Sequence, residues 1–222
     1  MGSSVVAAGL TFAYPNGHRL FQGLALTAEP GSLLCVTGRS GVGKSTLLYC
    51  LAGVLRAEGD VRLMGRILPA SPSARAALRL TLCGFIFQRG ELLPELSVVE
   101  NVALPLRLNG ASRRSARTAA MEALTRLGID DCADRPPQEI SGGQAQRASV
   151  ARALIHRPPV VFADEPTASL DASSRDDVLA ALRATVAAGA AVICATHDPA
   201  LTDIADDHFD MADRPRATHL TS

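Results

Sequence analysis

With 222 residues the chain is long enough to bury a substantial core and short enough for one compact unit. Its 22 basic and 22 acidic side chains balance to a formal charge of zero, which argues against a nucleic-acid protein held by a broad basic face. The apolar runs are strand-sized, far short of the ~20 residues that span a bilayer, so the chain cannot itself be a channel.

In chain order, residues 1–8 lack the charged and apolar regions of a secretory signal, and no Ser or Thr stands at the sixth position as myristoylation requires. Residues 4–35 alternate as strands do, with turns at Pro15-Asn16-Gly17 and Pro30-Gly31, which predicts a small antiparallel piece leading into the core. The short apolar run 32–37 then feeds Gly38-Arg39-Ser40-Gly41-Val42-Gly43-Lys44-Ser45, and a helical pattern continues from Thr46. Strand, loop and helix in this order match the phosphate-binding spacing G-x-x-x-x-G-K-[ST]. The glycines let successive N–H groups converge on phosphates, and the helix N-terminus adds its partial positive charge. Lys44 would reach the β- and γ-phosphates, and the Ser45 hydroxyl would ligate Mg²⁺. A plain glycine turn capped by Ser45 is the alternative, and the strand–loop–helix context outweighs it.

Further core strands are predicted near 83–87, 159–163 and 190–195 beside the one at 33–37. Residues 89–156 break the strand pattern. There, residues 112–127 and 142–157 read as amphipathic helices, the first with Arg113, Arg114 and Arg117 on its solvated face. A helical lobe over 89–156, inserted in a core of 1–88 and 157–222, follows. No internal repeat is evident, which excludes a duplicated architecture. The run Val160-Val161-Phe162-Ala163 ends in Asp164-Glu165, and the C-terminal edge of a buried parallel strand is where ligands sit in open α/β sheets. Asp164 is placed for a Mg²⁺ shell and Glu165 for polarising a water at the γ-phosphate.

Five dispersed cysteines, Cys35, Cys50, Cys83, Cys132 and Cys194, form no C-x-x-C pair and read as small core hydrophobes rather than a zinc site. The acidic stretch with Asp203, Asp206, Asp207, His208, Asp210 and Asp213 reads as solvated surface.

Ile140-Ser141-Gly142-Gly143-Gln144 opens a helix that offers a hydroxyl and accessible amides to an anion. This segment resembles the signature motif of ATP-binding cassette (ABC) ATPases, and the family's other motifs stand in its order. Tyr14 resembles the aromatic that stacks on adenine, and Gln88 the Q-loop glutamine. Ser169-Leu170-Asp171 resembles the D-loop, and His197 the switch histidine. Each alone has a plain structural reading; their joint order over nearly the whole chain carries the resemblance. It implies one ABC ATPase domain over 1–222, an α/β phosphate-loop NTPase of RecA-like core with a small antiparallel β subdomain and an inserted helical lobe. It also implies Mg²⁺-dependent ATP hydrolysis with Glu165, His197 and Gln88 as catalytic groups and Ser45, Gln88 and Asp164 around the metal. Nucleotide contacts would fall to Tyr14, the loop from Gly38 to Thr46, Ser141-Gly142-Gly143-Gln144 of the opposite subunit, and Asp171.

Residues 92–106, Arg135-Pro136 and Thr167-Ala168-Ser169-Leu170-Asp171 are similar to the macrolide-exporter and lipoprotein-release group of that family, with its cell-division ATPase as another relative. Arg89-Gly90-Glu91 departs from the aromatic that many members carry there. The implied partners are an integral-membrane permease, which transports or only transmits force, and a second cassette in a homodimer or heterodimer around two ATP. No nucleic acid is implied, and the expected location is the cytoplasmic face of the membrane.

Overall fold

The computed structural model describes residues 2–88, 90–168 and 170–212; Arg89, Ser169 and Asp213, singled out above, lie outside the described residues. Two sheets carry the fold. Strands β1 (Val5–Ala13), β2 (Arg19–Ala28), β4 (Glu58–Leu63) and β5 (Arg66–Ile67) form an antiparallel sheet in the order β2-β1-β4-β5. Strands β3 (Leu33–Thr37), β6 (Cys83–Ile86), β7 (Val160–Asp164), β8 (Ala191–Ala195) and β9 (Asp207–Asp210) form a parallel sheet in the order β6-β7-β8-β3-β9. The antiparallel strands bury alternate residues, whereas β7 and β8 are buried at every position. That contrast is expected of a sheet open to solvent on one side and one covered on both.

Alternate residues of the parallel strands feed two cores. Cys35, Val161, Ala163, Val192 and Cys194 pack against helices α3 (Val98–Leu108), α4 (Arg113–Arg126), α5 (Gly142–Leu154) and α6 (Ala172–Ala187). Leu34, Val36, Val160, Phe162 and Ile193 face the other way, onto α1 (Lys44–Leu51) and the antiparallel sheet. The helical lobe therefore shares its core with the sheet instead of owning one. Backbone meets backbone closely at Gly84 of β6, where a Cβ would collide with the Ala153 carbonyl of α5. All five cysteines are buried free thiols, and burial pushes Cys35 up to about 11 and Cys50 and Cys83 up to about 12. Thiols so held are inert packing groups.

The remaining helices are α2 (Pro72–Leu82) and α7 (Pro199–Thr202). Six of the seven α-helices among the described residues have a side-chain N-cap: Ser71, Ser97, Ser112, Ser141, Asp171 and Asp198 for α2 through α7. Such caps satisfy orphan N–H groups and fix where each helix begins. The exception is α1, whose N-cap is Gly43. No helix among the described residues is long and apolar enough to cross a membrane.

The acidic C-terminal stretch is solvated surface, as its sequence reading has it, and also carries a strand that the reading does not place. Its polar side chains at Asp207, His208 and Asp210 are exposed, and the backbone is strand β9, in parallel register with Leu34 to Thr37 of β3. Asp206 clasps the start of that pairing, its Oδ2 accepting from Leu33 N at 2.8 Å while its own N donates to Leu33 O at 2.9 Å. An edge strand pairs through its backbone, so its side chains need no apolar pattern.

Candidate active site

The glycine loop leaves β3 and turns into α1 through Gly38, Gly41 and Gly43, all at positive φ (139°, 74° and 105°). L side chains rarely adopt those values. Because no side chain caps α1, its first N–H groups and its positive dipole end face the loop's concavity. Lys44 is only 8 % exposed, and its Nζ donates to Gly38 O at 3.0 Å and to His197 Nε2 at 2.8 Å. One point in space is thus within reach of both a lysine and a histidine from segments far apart in the chain.

Ser45 Oγ donates to Asp164 Oδ1 at 3.0 Å. Asp164 closes β7 and is 2 % exposed. Burial pushes its carboxyl above the usual range, the Ser45 hydrogen bond opposes this, and the neighbouring Glu165 adds to it. Glu165 follows with φ +45°, a left-handed conformation costing a non-glycine residue on the order of 1–3 kcal/mol. The strain is held by Glu165 N donating to Ala195 O at 2.8 Å. Its carboxylate Oε2 accepts from Thr196 Oγ1 at 3.3 Å and His197 N at 3.2 Å, and Oε1 lies 3.8 Å from His197 Nε2.

Four supporting residues, Thr167, Thr196, Asp198 and Gln146, were given no role in the site from sequence. Thr196 is buried and, besides its bond to Glu165, accepts from Asp198 N at 3.0 Å. Thr167 Oγ1 donates to Asp198 Oδ2 at 2.8 Å, latching the turn after Glu165 to the segment after His197. Gln146, on α5, donates from Nε2 to Phe87 O at 3.1 Å and Pro166 O at 3.2 Å. Thr167 opened a recognised run, and Thr196 and Asp198 flanked the recognised His197; Gln146 carried no signal beyond being polar on a helix.

The other expected site residues lie around this cluster. Tyr14 is 39 % exposed, its hydroxyl 3.3 Å from Thr46 Oγ1 and its ring edge-on to Phe12. Gln88 is exposed on the turn after β6. Ser141 and Gly142 are exposed, and Ser141 and Gln144 close a capping box on each other, with bonds of 3.2 and 2.9 Å. Asp171 caps α6 through Ser174 N at 2.8 Å, a hydrogen bond that holds its carboxyl below the usual range. Hydrogen bonds thus join Lys44, Ser45, Asp164, Glu165 and His197 pairwise, and among the described residues none ties Gln88, Ser141 or Asp171 to them.

Residues 21–168 match the ABC transporter family. The chain belongs to that family. It is 43 % identical over 216 residues to a macrolide export ATP-binding/permease protein MacB of Rhodopseudomonas palustris, covering 95 % of this chain but 33 % of that protein. The chain therefore spans about a third of the length of that relative. A lipoprotein-releasing system ATP-binding protein LolD of Maricaulis maris is 41 % identical over 206 residues, covering 91 % of this chain and 88 % of its own length. Among solved structures, the ATP-binding cassette MJ0796, a dimer in a post-hydrolysis state bound to ADP and Pi, superposes with a TM-score of 0.88. That match has 29 % identity and covers 93 % of both chains. The expected α/β phosphate-loop architecture and the ABC ATPase assignment hold.

Proposed function

We propose that this ABC ATPase binds ATP against the loop from Gly38 to Thr46, pairs head to tail with a second cassette, and drives an integral-membrane permease that exports or extracts its cargo. The relatives' names, an exporter and a lipoprotein-releasing system, support that last step. The observation that carries the reading is an asymmetry: the phosphate-side groups converge within one chain, whereas among the described residues the exposed Ser141 is hydrogen-bonded only within its own helix start. A signature in that position serves a neighbouring chain. The dimeric MJ0796 cassette is consistent with this.

In this reading Tyr14 stacks on adenine and the loop amides hold the phosphates. Lys44 Nζ and His197 Nε2, hydrogen-bonded to each other at 2.8 Å, exchange that bond for bonds to the γ-phosphate, His197 donating in the tautomer that carries its proton on Nε2. Glu165 polarises the attacking water, its carboxylate aimed by Thr196 and His197 N. Ser45 Oγ and the buried Asp164 Oδ1 are adjacent hard oxygens, a donor set that suits Mg²⁺, with Gln88 as a further ligand. A cation there neutralises the charge that burial disfavours on Asp164, and Mg²⁺ supplies charge stabilisation on the phosphates. Gly143, Gln144 and Asp171 complete the opposite subunit's contribution. The cassette works on the cytoplasmic face of the membrane, and nucleic acid has no role.

Dilution tests the shared site. The specific ATPase rate of the cassette without a membrane partner is expected to fall as the protein is diluted below its dimer dissociation constant. A rate that stays flat shows that each chain hydrolyses alone, against this reading.

A further inference from the structure

Gln146 belongs to none of the nucleotide motifs, yet it stands where three of them meet. Its side chain is almost wholly buried, at 2 % exposure, near the start of the helix that Ser141 caps. The two hydrogens of its amide nitrogen go to two different loops. One is donated to Phe87 O, immediately before Gln88; the other goes to Pro166 O, immediately after Glu165. Those loops leave neighbouring parallel strands, β6 and β7, and no strand pairing continues to set their spacing. A second side chain of the same helix reinforces the link. Arg152 donates from Nη1 to Glu91 O at 3.0 Å and from Nη2 to Gly90 O at 3.3 Å. The Gln88 loop is therefore strapped to α5 by side chains on both sides of Gln88.

An ordinary core amide also finds partners, because burying one without them is costly. What separates Gln146 is that both acceptors belong to loops carrying catalytic groups. We infer that Gln146 is a positioning residue for ATP hydrolysis: it sets the distance between Gln88 and Glu165 and makes both follow any displacement of the signature helix. It acts through two backbone carbonyls and touches no nucleotide. Phosphate-loop binding does not depend on it, since Lys44 and Ser45 have their own partners in Gly38, His197 and Asp164. The inference rests on the hydrolytic reading above.

The test compares two variants with the unsubstituted chain by steady-state ATPase rates, equilibrium ATP binding and circular dichroism. Gln146→Met keeps the length of the side chain but donates nothing, and Gln146→Lys keeps N–H donors at similar reach. For Gln146→Met, kcat is expected to fall about tenfold or more while ATP affinity stays within about threefold, the pattern of a misplaced catalytic group. Gln146→Lys is expected to recover most of that loss. A Gln146→Met chain that turns over within about twofold of the unsubstituted one overturns the inference, as does a folded Gln146→Lys chain as slow as Gln146→Met. If Gln146→Met does not fold, Gln146→Lys decides alone, supporting the inference when kcat is largely retained and overturning it when kcat is lost with ATP affinity intact. Failure of the hydrolytic reading looks different: the unsubstituted chain itself would hydrolyse no ATP.

Discussion

The phosphate side of the site and the signature segment are built in opposite ways. Ser45 meets Asp164 and Lys44 meets His197, pairs more than a hundred residues apart in sequence that only the finished sheet brings together. Ser141 meets Gln144, three residues away, and is held by a helix start that needs no other part of the chain. The first half is costly to assemble and preorganised; the second is cheap and exposed. A half-site assembled from distant segments can bind by itself, whereas a self-capped one presents its surface to another molecule.

The comparison breaks first at Glu165. Glu165→Gln keeps the shape but removes the water-polarising group, and kcat is expected to fall by ~10²–10⁴-fold with ATP binding intact. The variant is also expected to elute as a dimer with ATP in size-exclusion chromatography; wild-type turnover refutes the role. A paired substitution then separates the two halves. Lys44→Ala is expected to cost about 3 kcal/mol of ATP affinity, the scale of one lost charge-stabilising donor, whereas Ser141→Arg leaves affinity per chain unchanged and removes turnover. Calorimetry that finds weakened binding in Ser141→Arg would place the signature against its own nucleotide.

The smallest effect concerns Asp164 and sharpens the cost of preorganisation. Its carboxyl is raised in the fold, mainly by burial, so the folded chain holds the proton more tightly than the unfolded chain does. Its ionised form therefore lowers stability above the folded-state pKa, and that penalty fades as pH falls through the carboxylate range. Asp164→Asn is expected to raise the thermal midpoint of the nucleotide-free, chelated chain at neutral pH, with a gain that shrinks on acidification. With Mg²⁺ and ATP present the order reverses, because the substituted amide no longer compensates a cation. A midpoint unchanged across pH would show that the buried charge costs nothing.

Motifs defined by local spacing were legible in the sequence. The glycine loop announces itself through Gly38, Gly43 and Lys44, and the core strands through runs such as Val160 to Ala163, because backbone conformation and full burial each leave a compositional trace. The helix at 98–108 was harder to see. It contains Pro105 and begins with two valines, and what starts it is the capping box between Ser97 and Glu100, a signal only two residues wide. Strand β9 left little apolar trace because three of its four side chains are exposed and Phe209 alone packs against the core. Gln146 could not be read at all: its role depends on where Phe87 O and Pro166 O lie, and a backbone carbonyl has no letter in the sequence.

Strand β3 carries the phosphate loop, yet its two sheet neighbours, β8 and β9, come from the far end of the chain. Met211 N donates to Thr37 O at 3.0 Å, one residue before Gly38. During synthesis, β3 therefore emerges well before β8 and β9 and waits with both edges unpaired until they follow. Contacts of such long sequence separation slow folding and leave aggregation-prone edges in the interim. The antiparallel hairpin of β1 and β2 can form at once, but the nucleotide loop acquires its final shape only after residue 211 has left the ribosome. Truncation a few residues short of that point would remove the clasp on Thr37 and leave a chain with every nucleotide motif in place and an unsupported loop.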